Sequence, residues 1–119
     1  MTLTEIFRRL LELDTKMNSN KQLKEDLSSK TYHLRDENVD VLHAQKVLDE
    51  KKKIMELYSL NESYALERRI LIQELMNDML LIDANKIMIN IDNEYWTVIT
   101  YNVESNTGNS DVELRYFKS

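Results

Sequence analysis

The chain has two histidines, and both stand close to carboxylates. On one continuous helix His33, Asp36, Asp40 and His43 are spaced three, four and three residues apart, so they share a face. Imidazole with carboxylate is divalent-metal chemistry. Four ligands strung along one helix nevertheless span ~15 Å at ~1.5 Å per residue, too far to close on one ion. Bundle sites take their ligands from several facing helices. The spacing is therefore read as a solvated polar face, and no metal and no cofactor is expected.

The other routes to catalysis close in the same way. Asp36 and Glu37 resemble paired carboxylates for acid–base work, but no apolar residues beside them in sequence build the pocket that shifts a general acid's pKa. With no cysteine there is no thiol nucleophile, disulfide framework or thiolate zinc site. The one glycine, Gly108, rules out a phosphate-cradling loop and a dinucleotide fingerprint, which need two or three glycines close together. No catalytic residue is assigned, and the expectation is a protein that binds rather than an enzyme.

Composition narrows the partner. The length of 119 residues is that of one domain. Residues 1–82 carry 13 basic and 15 acidic side chains and residues 83–119 carry 3 and 6, for a net charge of −5. Neither half is a basic footprint for phosphates, which argues against direct nucleic-acid binding. Lys51-Lys52-Lys53 and Arg68-Arg69 lie among compensating Asp49, Glu50 and Glu67 and read as solvated helix face. The opening residues lack a basic start followed by an apolar run. The apolar run Met79–Ile82 is far short of the ~20 residues a membrane span needs. A cytoplasmic protein is expected, or one in the host cytoplasm if the gene is viral. The abundance of Asn, Lys and Ile fits an AT-rich gene of a bacterium or phage.

The elements that would position any site are legible from periodicity. From Thr2 to Ile82 there is neither Gly nor Pro, and good helix formers dominate. Thr2 with Glu5 spells a capping box, so residues 1–17 are expected to start a helix. Ile6, Leu13, Asn20, Leu27, Leu34, Val41, Leu48 and Met55 recur every seven residues. Leu3, Leu10 and Met17 add the partner stripe of a coiled coil. Holding that spacing over 50 residues implies a left-handed supercoil, with Asn20 as the polar residue that fixes register. The alternative is two separate helices that share the phase. The seam narrows between Lys24 and Asn38, so the chain either pairs there with a second copy or bends at residues 36–40. A second break is expected at Ser59-Leu60-Asn61-Glu62, with residues 62–82 folding back and Ile54, Met55, Tyr58 and Tyr64 packed near the turn.

At Asp83 the period changes from helical to alternating. Ile87, Ile89 and Ile91, then Tyr95 to Val103, then Val112, Leu114 and Tyr116 read as three strands of an antiparallel meander. Asp92-Asn93 marks a tight turn and Ser105–Ser110 a polar loop. If the turn has two residues, Trp96 and Val98 join the isoleucine face and Met88, Tyr95, Ile99, Tyr101 and Val103 take the other. If it has three, Tyr95, Ile99, Tyr101 and Val103 join the isoleucines and Trp96, Val98 and Met88 face away, because side chains alternate with period two. One face is expected on Leu75, Met76, Met79 and Leu80, while the other keeps large aromatics among apolar neighbours.

The sequence thus reads as an α+β chain: a helical coiled-coil or hairpin region over 1–82, then a three-stranded antiparallel meander over 83–119 packed on the last helix. The function expected is non-enzymatic protein binding, as an adaptor, assembly chaperone or inhibitor. A homodimer is expected through Ile6, Leu13, Asn20, Leu27, Leu34, Val41 and Leu48. A partner protein is expected to bind through Met88, Tyr95, Trp96 and Tyr101. The alternative is a phage- or mobile-element-encoded inhibitor of a nucleic-acid-processing host enzyme.

Overall fold

The computed structural model of the chain describes residues 1–34 and 41–119, with side chains described for residues 1–29 and 44–119. The elements are α1 (Leu3–Leu34), α2 (Val41–Leu81), β1 (Lys86–Ile91), β2 (Glu94–Glu104) and β3 (Ser110–Lys118). This is an α+β arrangement, a helical hairpin followed by an antiparallel sheet of order β1-β2-β3. The chain divides into two compact units, one of Met1–Leu11 with Arg68–Ser119, the other of Glu12–Glu67. Each unit contains a stretch of both helices.

In the first unit the Thr2 hydroxyl accepts the Glu5 amide at 3.2 Å, and the Thr2 carbonyl accepts the Ile6 amide at 3.0 Å. That satisfies donors a helix start leaves free. Ile6, Phe7 and Leu10 of α1 are buried, as are Leu71, Leu75 and Met79 of α2 and Ile89, Ile91 and Val98 of the sheet. Each side chain buried this fully contributes roughly 1.5–3 kcal/mol relative to exposure. Phe7, which the seven-residue pattern passes over, meets Trp96 and Tyr116 edge-to-face at 5.7 and 5.3 Å between ring centroids. Arg68 donates to Tyr116 Oη at 2.8 Å and lies over its ring.

Helix α2 stops without glycine. The Ala84 amide donates to the Met79 carbonyl at 2.9 Å and the Asp83 amide to the Leu80 carbonyl at 3.0 Å, with Asp83 at φ 53°. This is the Schellman pattern, with an aspartate where the left-handed backbone favours glycine. Strands β1 and β2 then pair from Lys86↔Ile99 to Ile91↔Glu94. The turn is therefore the two-residue one, and Asp92 and Asn93 take φ 51° and 69°. Strand β3 pairs with β2 from Trp96↔Lys118 to Glu104↔Ser110.

In the second unit the helices run antiparallel. Asn20 Nδ2 donates to Asn61 Oδ1 at 3.1 Å, and Asn61 Nδ2 donates to the Met17 carbonyl at 3.2 Å. Lys16 lies over the Tyr64 ring at 5.7 Å and Lys24 over the Tyr58 ring at 5.3 Å. The seven-residue pattern thus belongs to two helices, not to one. The break expected at Ser59–Glu62 does not occur: α2 runs through it unbroken, because no Gly or Pro stops the helix and Asn61 spends its amide on α1. Met55 and Tyr58, placed by the sequence near that turn, are exposed on the helix. The alternative bend at 36–40 lies outside the described residues.

Candidate functional site

The register settles which side chains share each face of the sheet. Ile87, Ile89 and Ile91, with Trp96, Val98, Leu114 and Tyr116, stand on the packed side. The opposite side carries, row by row, Asn90–Tyr95, Met88–Thr97–Phe117, Lys86–Ile99–Arg115, Tyr101–Glu113 and Val103–Asp111. A solvated sheet face alternates to polar residues. This one instead exposes Met88 at 63%, Tyr95 at 56%, Phe117 at 46% and Tyr101 at 39%.

Three of the four side chains expected to bind a partner are thereby brought to one surface: Met88, Tyr95 and Tyr101. The fourth, Trp96, lies on the other face. It stands on the packed face against Phe7, with Lys118 Nζ over its ring at 5.9 Å, and its Nε1 is buried with no hydrogen-bond acceptor among the described residues. An indole oriented this way fills core space. The two-residue turn decides this, because Ile89 pairs with Trp96. Phe117 and Thr97 were missed as members of the outer surface. Thr97 is buried between Met88 and Phe117, and its hydroxyl meets Ser119 Oγ at 2.7 Å. The alternation of Val112, Leu114 and Tyr116 with Glu113, Arg115 and Phe117 was the signal for Phe117.

The outer face is also graded in charge. Lys86 and Arg115 flank Ile99, and Glu113 and Asp111 follow toward the turn between β2 and β3. Tyr101 Oη donates to Glu113 Oε2 at 3.0 Å. That bond to a carboxylate raises the Tyr101 pKa above its ordinary value, reinforced by desolvation and the Glu113 charge and opposed by Arg115. At neutral pH the phenol is a donor held in place, with no sign of a nucleophile's lowered pKa.

The residues expected at a dimer interface are dispersed. Ile6 and Leu13 are buried inside the chain, and Asn20 bonds to Asn61. Leu27 is half-buried and shares an apolar groove of about 430 Å³ in the second unit with Leu23, Leu57 and Leu60, edged by Lys53 and Glu56. Leu48 is exposed, and the side chains of Leu34 and Val41 lie outside the described residues, as do those of His33, Asp36, Asp40 and His43. Among the described residues no group of three or more His, Asp or Glu is arranged to hold a metal ion, and no helix is long and apolar enough to cross a membrane. No protein-family model, no curated protein and no solved structure matches the chain.

Proposed function

We propose that this is a non-enzymatic protein-binding protein that presents the outer face of its sheet to a partner protein and pairs with a second copy through its helices. The observation that carries the reading is the exposure of Met88, Tyr95, Phe117 and Tyr101 on one face of a sheet whose other side is already packed. Large apolar side chains gathered in the open on one face mark contact sites in soluble proteins. Tyrosines dominate such contacts, because a rigid ring buries much area at little entropic cost and its hydroxyl keeps a hydrogen bond.

Pairing of copies is supported by the second unit. Among its described side chains Leu13 alone is fully buried, while Leu23, Leu48, Met55 and Leu60 are exposed. Two helices give one narrow seam, and a second hairpin laid on the groove at Leu23, Leu27, Leu57 and Leu60 supplies the missing layer. Lys53 and Glu56 on the groove's edge carry opposite charges that a two-fold axis can pair.

The test joins sedimentation with binding. The native chain should sediment as a dimer at micromolar concentration and the Leu23→Lys/Leu60→Lys variant as a folded monomer. Trp96→Ala should unfold the sheet, while Tyr95→Ala and Tyr101→Ala should keep the circular dichroism spectrum and lose the partner. A native monomer sinks the pairing, and undiminished binding by both tyrosine variants sinks the outer-face site.

The alternative, an inhibitor of a nucleic-acid-processing enzyme encoded by a phage or mobile element, draws on Glu104, Asp111 and Glu113, which the register gathers at one end of the sheet. Enzymes that hold phosphates carry basic grooves. Competition between the chain and DNA for such an enzyme would favour it.

A further inference from the structure

In the unit that holds the sheet, a cleft of about 570 Å³ opens between the last turns of α2 and the part of β2 and β3 that extends past β1. Its size lies in the ~300–1,000 Å³ range of ligand clefts. Four kinds of group line it, the hydroxyl side chains being Thr100 and Tyr101. Met76, Leu80 and Val112 are apolar, and Leu80 is 77% exposed. Gln73 and three asparagines (Asn77, Asn85 and Asn102) bring amides, each with a donor and an acceptor that suit a peptide backbone. Asp83 and Asp111 bring carboxylates, and no Lys, Arg or His lines the cleft.

No basic side chain of the lining offsets the two carboxylates. The Met79 and Leu80 carbonyls at the end of α2 are capped by Ala84 and Asp83, and the helix end keeps a partial negative charge of at most roughly half an elementary charge. Asp83 sets a carboxylate at that same end, where the helix dipole disfavours it and its φ of 53° favours glycine. Asp111 accepts the Val112 amide at 2.9 Å on one oxygen, and a carboxylate can accept further bonds. A site with negative potential, backbone-matching amides and an exposed leucine is complementary to a cationic side chain borne on an apolar peptide.

We propose that this cleft docks a basic, amphipathic segment of a partner protein. A Lys or Arg of the segment pairs with Asp83 and Asp111, while an apolar neighbour covers Leu80 and Val112. The cleft borders the outer sheet face, since Tyr101 and Asp111 of that face also line it, but it does not rest on Met88, Tyr95 or Phe117.

Fluorescence anisotropy with the full chain tests this, using two labelled probes, acetyl-Leu-Arg-Leu-Arg-Leu-amide and acetyl-Leu-Glu-Leu-Glu-Leu-amide. The arginine probe should bind saturably and the glutamate probe should not. Asp83→Gly removes the carboxylate at a backbone position glycine prefers, so the fold is kept. It should weaken the arginine probe about fivefold, as loss of one partly exposed charge pair does. Leu80→Ser, at an exposed site and with no added charge, should weaken it through the lost apolar contact. Tyr95→Ala should leave the probe's affinity unchanged, which separates the cleft from the Met88, Tyr95 and Phe117 part of the outer face. Equal binding of the two probes, no saturable binding, native affinity in Asp83→Gly, or loss of binding in Tyr95→Ala would each overturn the assignment.

Discussion

Asn20 and Asn61 join the two helices through their side-chain amides, Asn20 Nδ2 donating to Asn61 Oδ1 at 3.1 Å while Asn61 Nδ2 reaches the Met17 carbonyl at 3.2 Å. Polar pairs in an otherwise apolar seam specify alignment, since any slip leaves them unpaired. Asn61→Ala strands both partners and should lower stability to urea by about 1–2 kcal/mol. Asn20→Leu/Asn61→Leu should recover most of that loss but allow alternative alignments, visible as doubled amide resonances. A single set of resonances in the double variant would show that the pair does not set register.

Phe7 is fully buried and touches both Trp96 and Tyr116. Phe7→Ala should destabilise the chain by about 3–5 kcal/mol, the range for removing a buried aromatic ring. Because Trp96 is the chain's one tryptophan, its emission should shift to longer wavelength as water reaches the vacated space. An unchanged spectrum would contradict the packing.

The uneven legibility of the sequence has physical reasons visible in these residues. Strands announced themselves by alternation, and Lys86–Ile91, Glu94–Glu104 and Ser110–Lys118 lie close to where the pattern put them. The parity of the first turn was undecidable, because Asp92-Asn93 and Asp92-Asn93-Glu94 are equally acceptable turn spellings. The register chose the first and sent Trp96 inward. For the helices the seven-residue spacing was real, but it could not say whether its residues face a second copy or the same chain folded back. Ile6, Leu13 and Asn20 face their own chain. The cleft at Asp83 carries no sequence signal, because Gln73, Asn85 and Val112 converge only through the topology.

Asp83 ends α2 at positive φ. Asp83→Gly should raise stability by about 0.5–1 kcal/mol, relieving the left-handed strain and the carboxylate's clash with the helix dipole. Thermal unfolding checks it. A lower melting temperature would mean that the side chain contributes to the fold more than its backbone costs.

Tyr101 should ionise later than an unperturbed tyrosine, because its hydroxyl donates to Glu113 and the phenolate would face that carboxylate. Folding favours the protonated phenol. This contribution to stability is therefore present below the ordinary tyrosine range and is lost as pH climbs through the raised value. Ultraviolet difference titration of native and Glu113→Gln chains isolates it, and the variant should ionise at lower pH. Superimposable curves would contradict the hydrogen bond.

The outer sheet face is tested most directly by photocrosslinking inside the cell that encodes the chain. A benzophenone side chain is placed at position 95, on that face, and in a control at position 25, an exposed helix position. The expected result is one discrete adduct from position 95, differing in mass from twice the chain and absent from position 25. Equal labelling from both positions, no adduct at all, or an adduct at 95 made only of two copies of this chain would contradict a partner protein on the face of Met88, Tyr95 and Phe117.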